Sequence, residues 1–282
     1  MTQSYRSIIL TLLPEASERT APSPATKLAV EMARAFGGFV TADFLAPKPA
    51  WVPYSLLTEL PLELLADEEK RLEAQAHATL RLAAETAEAA GVGAETNLVS
   101  LDFIALVGRA ALRARLQDVI VMDSSQSSLR EEIEIAEAMI FRTARPLIRV
   151  PAGHDGSLPG KVVVAWDGSV PAARAAREAL PILQAAETVE IATVQGEKDV
   201  SAIAPGEKLA RYLERHDVRA TQTTLTAARR DVAETLRAHV TATDAEFLVM
   251  GAYAHSRLAQ AILGGVTASL LRDAPVPLLL AH

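Results

Sequence analysis

The chain predicts an α/β fold of two tandem repeats, each a parallel sheet flanked by helices, and three observations carry that reading. Half of the 282 residues are hydrophobic but only 4% are aromatic, so Ala, Leu and Val must build the interior. That composition suits helices packed on a parallel sheet better than an aromatic-rich sandwich. Apolar runs of strand length alternate with stretches of helical period from Ile8 to Val150. The same order then restarts at Lys161, with Val-Ile-Val-Met122 answered by Phe-Leu-Val-Met250 and Arg-Pro-Leu-Ile148 by Val-Pro-Leu-Leu279.

The elements follow in order. Ser7 to Leu13 is a buried strand, and a Ser/Thr/Pro segment leads to a helix from Ala25 to Phe36 that stops at Gly37-Gly38. Phe39 to Leu45 is the second strand. Pro47 to Tyr54 is a proline-punctuated loop, in which Trp51 and Tyr54 either cover a cavity or close a core edge. A long amphipathic helix from about Leu62 to Ala90 ends at Gly91-Val-Gly93. Strand Glu95 to Ser100, helix Phe103 to Arg115, strand Asp118 to Asp123, helix Leu129 to Ala144 and strand Pro146 to Val150 complete the half. Alternating strands and helices imply parallel pairing through right-handed crossovers.

Pro151 to Gly160 is rich in turn residues and reads as a linker between domains at 1–150 and 161–282. Each repeat, of roughly 140 residues, has an ordinary domain size. The second repeat runs through strand Lys161 to Trp166 and a helix from Pro171 to Gln184, which Pro181 should kink or end early. Strand Thr188 to Val194, helix Glu207 to His216, strand Ala220 to Leu225 and helix Asp231 to Ala242 come next. The stretch Glu246 to His282 closes the chain with a strand ending at Gly251, an apolar connector, a helix opening on Gly264-Gly265, and strand Pro277 to Ala281.

Composition excludes several functions. The net charge of −7 and the lack of a long basic run argue against nucleic-acid binding. With no cysteine, disulfides and thiolate chemistry are out. The first apolar run is too short for a signal peptide or a membrane span, which implies a cytoplasmic protein with no membrane partner. The six histidines show no metal-binding spacing, and neither a GxSxG elbow nor a Walker A motif is present.

The candidate site lies where strands of the second repeat hand over to helices. In an open parallel sheet, ligands sit beyond the carboxyl ends of the strands where strand order reverses. Asp167, Gly251 and the backbone of Val194 fall at such ends. A carboxylate there can accept from a ribose hydroxyl or a base amine. The N–H groups of Gly264, Gly265, Val266 and Thr267 open a helix and can hold phosphate oxygens. His255, Ser256 and Arg257 could add donors. Asp167-Gly168-Ser169 equally makes a turn and helix cap before Pro171.

These residues resemble the universal stress protein family in tandem form. The resemblance rests on Asp167-Gly168-Ser169 after the first strand of the repeat, the Met250-Gly251 strand end, and Gly264-Gly265-Val266-Thr267 before the last helix. Nucleotide-binding members show Gly, two residues, Gly, nine residues, Gly, then Ser or Thr. Gly251, Ala254 and Gly264 keep that spacing, with Gly265 at the hydroxyl position and Thr267 two places later. The resemblance implies two tandem Rossmann-like (adenine nucleotide alpha-hydrolase-like) domains, each with a five-stranded parallel sheet. It implies Asp167 and Val194 toward the adenosine of ATP or ADP, and Gly251 with Gly264 to Thr267 toward the phosphates. Mg²⁺ would enter only through those phosphates. It also implies that the strands Pro146 to Val150 and Pro277 to Ala281 pair across a pseudo-twofold axis, an intramolecular pseudo-dimer, with a further homodimer open.

The first repeat differs at the matching positions. Leu13 stands for Asp167, Asp123 for Gly251, and Arg130 to Glu137 for the glycine pair, so it is expected not to bind ATP. The function implied is nucleotide-dependent regulation in the stress response. Two rivals stand beside it: a scaffold acting through protein partners without nucleotide, and a slow Mg²⁺-dependent ATPase. No residue is an evident base for activating water, so hydrolysis would be weak and no catalytic residue is assigned.

Overall fold

The structure is a computed structural model and describes residues 4–48, 62–124, 129–195, 206–227, 231–255, 262–263 and 265–282. The first half runs β1 (Ser7–Leu12), α1 (Pro24–Phe36), β2 (Phe39–Pro47), α2 (Leu62–Ala89), β3 (Ala94–Leu101), α3 (Phe103–Ala114), β4 (Val119–Asp123), α4 (Leu129–Arg142) and β5 (Leu147–Val150). The second runs β6 (Lys161–Ala165), α5 (Val170–Glu178), α6 (Leu180–Ala185), β7 (Thr188–Gln195), α7 (Gly206–Glu214), β8 (Ala220–Thr226), α8 (Val232–Ala242) and β9 (Phe247–Gly251). It closes with β10 (Ala254–His255), β11 (Ile262–Leu263), α9 (Gly265–Arg272) and β12 (Leu278–Ala281).

Local chemistry sets the boundaries. Ser23 caps α1, its hydroxyl accepting the Thr26 N–H at 3.0 Å, with Pro24 preset for the first turn. Gly37 ends the helix at φ 65°, a left-handed position that glycine takes without strain. Ala179 separates α5 from α6, so the single helix expected from Pro171 to Gln184 is broken ahead of Pro181. The apolar connector after Gly251 holds a small antiparallel ribbon, β10 with β11, that hydrophobic pattern did not show.

The strands form one sheet in the order β3-β2-β1-β4-β5-β12-β9-β6-β7-β8. Each half contributes five parallel strands, and β5 meets β12 antiparallel, with Leu278 opposite Arg149, Leu279 opposite Ile148 and Leu280 opposite Leu147. The closing strands thus pair with each other, as the resemblance implied. One face is covered by α1, α2, α5, α6 and α7 and the other by α3, α4, α8 and α9, each over a continuous apolar cluster. No helix among the described residues is long and apolar enough to cross a membrane.

Strand register makes the halves superimposable by position. Ile8 lies opposite Val119 as Val162 lies opposite Phe247, so Leu13 corresponds to Asp167 and Asp123 to Gly251. Both halves also hold the start of their first strand with a carboxylate. Asp118 accepts from the N–H groups of Arg6 and Ser7, and Glu246 from those of Gly160 and Lys161.

Two hydrogen bonds are among the contacts that tie the halves beyond the sheet. Arg174 donates to the Ala144 carbonyl at 2.6 Å. The Tyr5 phenol, 1% exposed, donates to the Glu178 carbonyl at 2.5 Å. Burial raises the Tyr5 pKa well above its usual 10.0, helped by the charges of Glu178 and Asp118. A folded-state pKa above the unfolded one gives stability that is whole below about pH 10 and declines as pH rises past it. Tyr5→Phe is therefore expected to cost roughly 1 kcal/mol at neutral pH and to flatten the alkaline loss. Urea unfolding across pH 8 to 11, on the order of the usual phenol range, checks this; an unchanged alkaline slope would refute it.

Candidate functional site

The site forms at the carboxyl ends of β6 and β9, between which the strand order of the second half reverses. Trp166 still donates to Ala192 as an extension of β6, and the chain then turns at Asp167-Gly168-Ser169. Gly168 sits at φ 73°, and Asp167 Oδ1 accepts the Ser169 N–H at 3.1 Å. Ser169 caps α5, its hydroxyl accepting the Ala172 N–H at 3.1 Å. The turn-and-cap role and the placement of a carboxylate at the strand end are therefore one arrangement.

Gly251 ends β9 directly beneath the start of α5. A Cβ there would lie 2.5 Å from Ala172 N and 2.7 Å from Pro171 C, and its φ is not positive. Glycine is required here by close backbone packing, not by an unusual conformation. Beyond it, Ala252 donates to Ala281, and His282 Nδ1 lies 2.9 Å from the Ala252 carbonyl.

Tyr253 follows, and it crosses the cleft. Its backbone N–H donates to Thr267 Oγ1 in α9 at 3.2 Å. Its phenol lies near Asp167 and Ser169. The Tyr253 pKa is raised, first by burial, with Ser169 working against that and the Asp167 carboxylate with it. Thr267 is only 1% exposed and its hydroxyl holds the Tyr253 N–H, so it braces the loop.

Of the sequence candidates, Asp167, Gly168, Ser169, Gly251 and Thr267 come together. Val194 lies half-buried near the end of β7, on the side of β6 away from β9. Gly265 and Val266 open α9, and the Cβ position of Gly265 faces open space. Ala254 and His255 form β10, and Ala254 is not at positive φ, so alanine is unstrained where the family spacing has glycine. Arg257, Ser256 and Gly264 lie outside the described residues, as do Trp51 and Tyr54. Tyr253 was missed by sequence reasoning. Its signal was a lone aromatic between two alanines inside the Gly251–Ala254 spacing, in a chain with four tyrosines.

The matching place in the first half is filled by the chain itself. Asp123 accepts the Ala25 N–H at 2.9 Å, with Arg19 at 3.6 Å. Burial raises its pKa, opposed by Ser23, Ala25, Arg19 and Arg149. Counting from the two serine caps, Ala25 corresponds to Pro171, which has no N–H to satisfy; glycine then suffices at 251. Glu132, expected to repel a phosphate, is instead buried in an ion pair with Arg149. Residues 124–128 link β4 to α4, whereas 252–264 link β9 to α9. The first half lacks the longer connection.

A doubly wound sheet with a carboxylate and a helix start at its switch point defines a class of small-ligand-binding α/β proteins. Residues 159–282 match the model of the universal stress protein family. A universal stress protein of Archaeoglobus fulgidus DSM 4304 is similar over 97% of this chain and 98% of its own, at 17% identity and a TM-score of 0.69. A functionally unknown protein of Pseudomonas aeruginosa PAO1 is similar over 98% and 92%, at 14% identity and a TM-score of 0.58. A universal stress protein in complex with cAMP aligns over 45% of this chain and 99% of its own, at 24% identity and a TM-score of 0.35. No curated protein sequence matches the chain. The two full-length likenesses extend the tandem α/β fold to the first half.

Two packing predictions follow from the strand ends. Gly251→Ala should destabilise by roughly 1–3 kcal/mol through overpacking, read as a lower denaturant midpoint. Asp123→Ala should be less stable than Asp123→Asn by about 1–3 kcal/mol, because only asparagine keeps an acceptor for Ala25. Equal midpoints for that pair would show that the acceptor is not what position 123 provides.

Proposed function

We propose that the second half binds an adenine nucleotide, ATP or ADP, and that the chain acts as a tandem universal stress protein whose occupancy regulates the arrangement or exposed surface of its two halves. One observation carries it: Asp167 is held by the Ser169 N–H at the carboxyl end of β6, at the sheet's switch point. The fit is chemical. Asp167 accepts from a ribose hydroxyl or base amine, and the first N–H groups of an eight-residue helix would face phosphate charge with its dipole in support. Open space at Gly265 leaves room beside that helix start. Gly251, Ala254, His255, Arg257, Gly264, Val266 and Val194 complete the proposed surroundings, and Mg²⁺ enters only with the phosphates.

The proposed organisation is a domain at 1–150 with a self-filled site, a linker at 151–160 and a binding domain at 161–282, working as an intramolecular pseudo-dimer in the cytoplasm. The β5–β12 pairing supports it, and so does Asp123 bound to the start of α1. A scaffold without nucleotide is favoured by a different observation: the Thr267 hydroxyl in α9 already holds the Tyr253 N–H.

Calorimetry separates the two. The intact chain should bind ATP or ADP at one site per chain. Asp167→Ala should weaken binding about 10- to 100-fold, the range of a hydrogen bond to a charged group. Gly265→Ser, which adds a hydroxyl in open space at the helix start, should tighten it severalfold, on the order of a neutral hydrogen bond. No binding by the wild type, or an Asp167→Ala variant as tight as wild type, would favour the scaffold.

A further inference from the structure

The outer face of α3 is apolar where a surface helix is ordinarily polar. The helix turns Leu106, Val107, Ala110, Ala111 and Ala114 into the core. On its other side Ile104, Leu112 and Leu116 stand 84%, 56% and 86% exposed, so most of the large hydrophobic side chains exposed among the described residues gather in one place. Leu116 lies just past the helix end, and Arg115 before it keeps helical backbone angles. Residues 104, 108, 112 and 116 are four apart and therefore form one row along the helix. Gly108 leaves a gap in that row, since a Cβ there would meet nothing within 4 Å. The repeat does not demand such a face. Helix α8, capped by Asp231 as α3 is by Asp102, carries Arg237 and Thr241 at the places of Gly108 and Leu112, and Arg237 is held by Ser269 of α9.

We propose that this row is the contact between two copies of the chain, with α3 crossing α3 about a twofold axis. The row is complementary to itself. Its midpoint falls between Gly108 and Leu112, so a twofold there seats Leu112 of each copy in the gap at Gly108 of the other and sets Ile104 against Leu116. Rows of this spacing run at about 26° to the helix axis, so two aligned rows cross at about 50°. Glycine at the crossing lets the axes close to about 8 Å, the short end of the usual range. The helices run antiparallel, which sets the positive end of each dipole toward the negative end of the other. Size sets the strength. Covering the row in both copies buries on the order of 1,000 Å², the lower limit for a specific interface, and the dimer is accordingly weak, with a Kd of about 10–100 µM. Charge sets the salt dependence: Arg109 is exposed beside Gly108 and meets its own copy near the axis, a repulsion that salt screens. The contact lies apart from the β5–β12 pairing, which is already made within one chain.

The test is sedimentation velocity of the full chain from about 1 to about 200 µM, a span that brackets the affinity of so small an interface. Expected is monomer at the low end and dimer at the high end, with tighter association at higher salt. Leu112→Glu should weaken the dimer about tenfold or more, the order of one lost anchor at the centre of an interface. Gly108→Leu is the sharper variant. It adds apolar surface and a better helix former, so it should fold at least as stably as the wild type, checked by thermal melting. A face that associates by apolar area alone would dimerise more tightly with it, whereas a gap that receives Leu112 requires about tenfold weaker dimerisation. The chain has no cysteine, so introduced thiols report register directly. An oxidised mixture of Gly108→Cys and Leu112→Cys proteins should cross-link more than either protein alone. A monomer at every concentration, a Gly108→Leu dimer as tight as wild type, or cross-linking no greater in the mixture would each overturn the proposal. So would a chain that stays monomeric and co-floats with lipid vesicles, which would give the row to a membrane surface instead.

Discussion

The antiparallel pairing of β5 with β12 is the contact on which the rest depends. Each half is a five-stranded parallel sheet with an open edge, and unpaired edges expose backbone donors and acceptors. Joining the two edges leaves one sheet covered by helices on both faces. Register there is strongly set. Arg149, opposite Leu278, is buried against Glu132 under α4, and a one-residue slip would send that charge to the other face. The ion pair is costly to bury and replaces apolar packing: register places Leu280 at the corresponding position in the second half.

The two halves diverge because of a few backbone groups. Ala25 carries an N–H at the first turn of α1, and Asp123 rises to meet it. Pro171 carries none, so position 251 can be glycine and α5 can settle onto the strand end. The second half then carries Tyr253 beyond β9, with its N–H on Thr267 in α9. In the first half Asp123 is met by Ala25 and Arg19.

Several parts of the site were legible and others were not. Asp167, Gly251 and the start of α9 could be placed from apolar runs and small residues, because strand ends are set by local pattern. The role of Gly251 could not. Spacing suggested closeness to phosphate, and the structure shows a glycine required by contact with Pro171 and Ala172. Thr267 was legible as part of a helix start, but not that its buried hydroxyl holds the Tyr253 N–H. That bond was invisible because its partners belong to different elements fourteen residues apart.

By itself the sequence determined the duplication, the alternation of strands and helices, the break before Pro181 and the acidic character of the first half's counterpart site. These depend on periodicity, on proline's missing N–H and on composition, all local properties. Only the tertiary structure decided which glycine is sterically obligatory, that Glu132 faces Arg149, and that the Thr267 hydroxyl holds the Tyr253 N–H. Those outcomes depend on distances between elements far apart in the chain, and the ten-stranded sheet sets those distances.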